Sequence, residues 1–117
     1  SLYEKLLDRE SMASTGIGKG VAIPHTRQPL EGTGQDAVIA TFFLKSPIDY
    51  KAVDGVPVFV LFLLITPSAP VHLHLLSRLA FCIREDAFIS FLRTRPEAGD
   101  LYARVSSLEE TLEQAKR

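Results

Sequence analysis

The stretch Ser14-Thr15-Gly16-Ile17-Gly18-Lys19-Gly20-Val21-Ala22-Ile23-Pro24-His25-Thr26-Arg27 decides how the rest of the chain is read. Gly16, Gly18 and Gly20 predict a flexible loop, able to take positive φ and to bring backbone N–H groups near an anion. Val21, Ala22 and Ile23 read as a short buried strand, and Pro24 stops it because proline brings no N–H to a ladder. His25 follows at once. A histidine just past a strand end, beside a glycine-rich loop, stands where chemistry at the edge of a sheet is done.

Upstream, residues 2–10 place Leu2 and Leu6, and Tyr3 and Leu7, four apart, which predicts an amphipathic helix. Downstream, Gln28 to Gln35 carries Pro29, Gly32 and Gly34 and reads as a surface loop. Ala37 to Leu44 is rich in strand formers but alternates poorly, which predicts a strand covered on both faces and broken by Ser46-Pro47. Asp54-Gly55 supplies a turn. Val58 to Ile65 is the strongest strand and belongs at the centre of the sheet.

Thr66 to Pro70 ends that strand and opens a helix, with Ser68 as N-cap and Pro70 in the first turn. The helix runs over 71–84 with Leu75, Leu76, Leu79 and Ile83 at helical spacing, and another follows from Asp86 to Arg93. Pro96 to Val105 reads as helical, and Ser106-x-x-Glu109 predicts a capping box opening a separate final helix, Leu108 to Arg117. Strands followed by helices, with apolar runs buried on both faces, predict an α/β or α+β sandwich.

A chain of 117 residues, 46% hydrophobic and 23% charged, suits one globular domain over residues 1–117. A net charge of −1, without a block of like charge, argues against nucleic acid or an anionic membrane surface as the main partner. The longest apolar run is far shorter than the ~20 residues that span a bilayer, and no signal-peptide pattern is present. Cys82 is the sole cysteine, so an internal disulfide is excluded and a reducing cytoplasm is the expected compartment.

Four residues are candidates for chemistry. His25 reads either as an ordinary surface or capping histidine or as a nucleophile, since a neutral imidazole offers one nitrogen lone pair while the other nitrogen donates a bond that fixes the tautomer. His72 and His74 stand two apart on a helix, about 200° around it from each other, so both cannot face one site. Leu75 and Leu76 bring the core face close to His72, and the pattern leaves the choice open. Arg9, taken alone, reads as a solvated helix residue paired with Asp8 or Glu10. A zinc site from the three histidines lacks a fourth ligand, and neither a P-loop, a dinucleotide fingerprint nor a serine-hydrolase elbow is present.

Ile17-Gly18, then after two residues Val21-Ala22-Ile23-Pro24-His25, with Glu10 ahead at the matching distance, resembles the active-site signature of the type 2 enzyme IIA domains. These belong to the bacterial phosphoenolpyruvate-dependent phosphotransferase system, in its fructose, mannitol and nitrogen-regulatory branch. Thr26 departs from the family, where a small residue such as glycine is usual. The resemblance implies a phosphotransferase acting as a phosphohistidine carrier, with the phosphoryl group on Nε2 of His25. It implies that His72 donates a hydrogen bond to the phosphoryl oxygens and that Arg9 approaches them, leaving His74 toward solvent. No cofactor or metal is implied.

The implied partners are a histidine phosphocarrier protein as donor and a IIB domain of sugar uptake, or a regulated kinase or transporter, as recipient. The alternative is an interaction module that binds such a target without using the phosphate. Leu7 to Gly18 and His72 to Ser77 look closer to the nitrogen-regulatory members than to the mannitol ones. The implied fold is a small mixed β-sheet with helices on both faces. The family carries another strand and helix ahead of residue 2, so the chain reads as N-terminally shortened or incompletely represented.

Overall fold

The structure, a computed structural model, describes residues 1–12, 14–26 and 37–115. The loop expected over 28–35 lies outside the described residues, as do the last two residues of the expected final helix. The chain forms two compact units, Ser1–Leu73 and His74–Arg117.

The first unit opens with α1, Leu2–Glu10, capped by the Ser1 hydroxyl, which accepts from the Glu4 N–H at 3.2 Å. Among the described residues four strands follow: β1 (Gly16–Gly18), β2 (Val21–Ala22), β3 (Val38–Ile48) and β4 (Val58–Ile65). They form one mixed sheet in the order β1-β2-β4-β3, with β2 parallel to β4 and the other two pairings antiparallel. β4 is interior, as its unbroken apolar run predicts, and Val58 and Val60 are fully buried. Each such side chain contributes about 1.5–3 kcal/mol relative to exposure. Leu61 and Leu63 of β4, with Phe42 of β3, line a cavity of about 230 Å³ whose other wall includes Tyr3, Leu6 and Leu7 of α1. These α1 residues face the cavity without being covered, Tyr3 69% and Leu7 51% exposed.

Three strand expectations are corrected. The glycine segment is an ordered hairpin, with β1 paired to β2 and positive φ at Gly18, Lys19 and Gly20 in the turn. β3 runs through Ser46-Pro47 to Ile48, because its register with β4 shifts between Phe43 and Ile48. Proline is tolerated where the ladder is irregular and asks for no N–H. Nor is β3 covered on both faces: Val38 and Phe42 are each 49% exposed, and Ile39 39%. An apolar run records what a strand can bury and not what covers it.

α2, Ala69–Arg84, begins in the first unit and continues in the second. Ser68 caps it: its hydroxyl faces the Val71 N–H at 3.4 Å and its carbonyl accepts from the His72 N–H at 3.0 Å. In the second unit α3 spans Asp86–Arg93, as expected, and buries Phe88, Ile89 and Leu92 at helical spacing. α4 is one helix, Ala98–Ala115. The expected break at Ser106 is absent because Leu101, Val105, Leu108 and Leu112 form one half-buried stripe straight through it. A capping box acts only where the chain enters a helix.

Also in this unit, the Arg104 guanidinium stacks over Phe91 at 4.2 Å and Arg78 pairs with Glu113. Cys82 is buried, which pushes its thiol up to about 11 and leaves it a small apolar core residue. No helix among the described residues is long and apolar enough to cross a membrane.

Candidate functional site

β2 ends at Ala22, but its alignment with β4 does not end there. The Pro24 carbonyl accepts from the Leu64 N–H at 3.0 Å, and His25 makes a parallel bridge to Leu64. Proline withholds a donor while its carbonyl still pairs. His25 is thus fixed beside the C-terminal end of the central strand, half-buried.

Its Nδ1 lies 2.7 Å from the Ile23 carbonyl oxygen. A carbonyl only accepts, so Nδ1 carries the proton, and in the neutral ring the lone pair is left on Nε2. Thr15, 3% exposed, continues the support: its carbonyl accepts from the Ile23 N–H at 3.0 Å.

β4 also delivers the second histidine. Thr66 follows its last residue, and Ser68 starts α2 so that His72 falls in the first turn. The rings of His25 and His72 have centroids 4.9 Å apart, tilted by 54°. Thr66 Oγ1, almost fully buried, is 3.4 Å from His72 Nδ1. Burial, and secondarily the positive charge His25 can carry, holds the His72 imidazole below its ordinary value. His74 is exposed. Of the two helix histidines, the structure brings His72 to His25.

Arg9 is half-buried in the last turn of α1, next to Glu10. Glu10 reaches across to the glycine segment: its carboxylate accepts from the Thr15 N–H at 3.1 Å, from the Thr15 hydroxyl, and from the Tyr50 hydroxyl at 3.2 Å. Burial pushes the Tyr50 phenol above its ordinary value; a Thr15 hydrogen bond opposes that shift and the Glu10 charge adds to it.

The hairpin is pinned from the other side by Asp54. Its carboxylate accepts from the Lys19 N–H at 2.8 Å and the Val56 N–H at 3.0 Å, bonds that hold the carboxyl below its ordinary value. A Cβ on Gly18 would meet Asp54 Oδ2 at 3.0 Å, at a φ of +103° that side chains avoid. The Gly16 N–H donates to Ser14 Oγ at 2.9 Å. These two hairpin N–H groups are therefore spent on the protein's own oxygens rather than on an anion, and the glycines serve shape.

His25 and His72, both singled out in the sequence, stand side by side, but the groups behind them carry no signal there. The Ile23 carbonyl has no side-chain signature. Thr66, six residues before His72 at a strand end, was open to inference from its place alone. Among the described residues, no group of three His, Cys, Asp or Glu side chains is placed to hold a metal ion.

The family model described as "Phosphoenolpyruvate-dependent sugar phosphotransferase system, EIIA 2" matches residues 1–107. A nitrogen regulatory protein of Pseudomonas aeruginosa is 40% identical over 104 residues, 87% of this chain and 66% of that protein. One from Escherichia coli K12 is 37% identical over 116 residues, 97% of this chain and 70% of its own length. The crystal structure of nitrogen regulatory protein IIA-Ntr from Neisseria meningitidis superposes with a TM-score of 0.78 at 35% identity, over 88% of this chain and 70% of that one. The chain thus spans about two thirds of the length of these relatives. With the family model matched from residue 1 to residue 107 and the same fold in a solved relative, the chain belongs to the EIIA 2 family of the phosphoenolpyruvate-dependent sugar phosphotransferase system.

Proposed function

We propose that this chain is a phosphocarrier whose acceptor is Nε2 of His25. The observation that carries the reading is the 2.7 Å contact between His25 Nδ1 and the Ile23 carbonyl, which leaves the nucleophilic lone pair on Nε2. The Nε2–P bond forms as the N–P bond of a donor phosphohistidine breaks, and the donor ring keeps the electron pair. The proton stays on Nδ1 of His25, donated to the Ile23 carbonyl throughout, so no base is required.

His72 acts as donor to the phosphoryl oxygens. In a neutral imidazole that role needs the proton on Nε2, which is met when the Thr66 hydroxyl donates to Nδ1. Arg9, in the last turn of α1, is assigned the permanent positive charge that the phosphoryl oxygens call for. Transfer of this kind gains chiefly from positioning and charge stabilisation, so it asks for no metal from the protein.

The donor is a small histidine phosphocarrier protein in the cytoplasm. The similarity to nitrogen regulatory proteins favours a regulatory role, with phosphorylation state read by a kinase or transporter, over delivery of the phosphoryl group to a IIB domain.

The test is intact mass after incubation with phosphoenolpyruvate and the two general carrier proteins. Wild type gains one acid-labile phosphoryl group and His25→Ala gains none. No gain in the wild type overturns the reading and leaves a phosphate-independent interaction module. Discharge by a IIB domain would make the chain a sugar carrier instead of a regulator.

A further inference from the structure

Glu10 ends α1, where the helix dipole disfavours a carboxylate. A local rule broken at a helix end calls for a compensating use of that group. The carboxylate takes three donors, two from Thr15 and one from Tyr50, across 5 and 40 residues of chain. Thr15 is 3% exposed, so its N–H and hydroxyl need partners in place of water. From Thr15 the bonds go on: its carbonyl accepts from the Ile23 N–H at 3.0 Å, and the Ile23 carbonyl takes the His25 Nδ1 proton at 2.7 Å.

The geometry points to Glu10 as a positioning residue: through Thr15 and Ile23 it sets the carbonyl that keeps the proton on His25 Nδ1 and Nε2 open. It touches no reacting atom. Its effect is mechanical, because each link fixes the backbone of the next. The same carboxylate ties the last turn of α1, where Arg9 stands one residue earlier, to the glycine segment. A single carboxylate thereby links the helix end to the acceptor ring. The kinetic consequence rests on the phosphocarrier reading; the tautomer consequence does not.

The test uses Glu10→Gln in the full chain, with Thr15→Val and Thr15→Ser beside it. Two quantities are measured: the His25 tautomer by nitrogen-15 NMR of the imidazole at a pH where the ring is neutral, and the initial rate of phosphorylation by the carrier proteins. Glu10→Gln replaces one accepting oxygen by a donor facing Thr15 or Tyr50. The wild type shows one tautomer, protonated on Nδ1. Glu10→Gln is expected to give a mixture with Nε2–H, and a rate lowered about tenfold to a hundredfold by misplacement of the ring.

Thr15→Val, which loses the hydroxyl but keeps the N–H and the shape, is expected to shift both readouts in the same direction by less. Thr15→Ser is expected to restore the wild-type tautomer. If Glu10→Gln does not fold, the Thr15 pair decides the matter. A lower melting temperature with the tautomer unchanged overturns the proposal and leaves Glu10 a stabilising residue only. A wild type that takes no phosphoryl group overturns the phosphocarrier reading instead, and the tautomer then judges Glu10 alone.

Discussion

His25 and His72 are the same side chain held in two ways. The Nδ1 of His25 rests 2.7 Å from a backbone carbonyl, which can only accept. The Nδ1 of His72 rests 3.4 Å from the Thr66 hydroxyl, which can donate or accept. The first support fixes one tautomer, and the second tolerates both. A phosphoryl acceptor needs one nitrogen always open. A neighbour that adapts to an empty or a loaded site needs no such restriction. The difference between the rings lies in what stands behind them, at the strand end for one and at the start of a helix for the other.

The strongest way to break this comparison is to remove His72. On the proposed phosphocarrier reading, His72→Ala deletes one donor to the phosphoryl oxygens, and a single preorganised donor of this kind is worth about 10²–10³ in rate. The phosphorylation rate is expected to fall by that factor while the final extent on His25 is retained. Equal loss of extent in His72→Ala and His25→Ala would show that the two roles had been wrongly divided.

A smaller effect is expected from Thr66→Val, which keeps shape and burial but strands His72 Nδ1. An unsatisfied group of this kind costs about 1–3 kcal/mol, shared between stability and rate. Nitrogen-15 NMR should find the tautomer of His72 altered and that of His25 unchanged, with Thr66→Ser restoring the wild type. A change at His25 instead would mean that the two supports are one network.

How far the site was legible follows the same division. His25 is announced by its own neighbours, Val21 to Pro24, and the strand β4 that holds it is announced by eight apolar residues whose bounds match the run. Likewise α1 and α3 follow local signals, apolar residues three or four apart in each. The supports were not legible because they are tertiary. Glu10 meets Tyr50 across 40 residues, and a peptide carbonyl such as that of Ile23 is the same in every sequence. Where local signals were trusted alone they failed, at Pro47 within β3 and at Ser106 within α4, since register and a continuing apolar stripe outweighed them.

The smallest effect separates the two rings by pH. Burial first, and repulsion from a charged His25 second, hold His72 below the ordinary histidine value near 6.5. The unfolded chain therefore binds the His72 proton at a higher pH than the folded one does. Between the two values the unfolded state holds more protons, so stability rises with pH across that window. The sign is fixed: neutral His72 carries no penalty above about 6.5, and the fold loses stability as pH falls below it. His72→Gln should flatten the thermal stability profile in that window. His25→Ala should leave most of the slope, because burial is the larger cause, while moving the His72 midpoint up toward its ordinary value. A phosphoryl group on His25 replaces a repelling cation with an anion, so it should move the same midpoint upward. Proton NMR titration of the His72 ring before and after phosphorylation checks this, and a downward move would mean that the phosphoryl group faces away from His72.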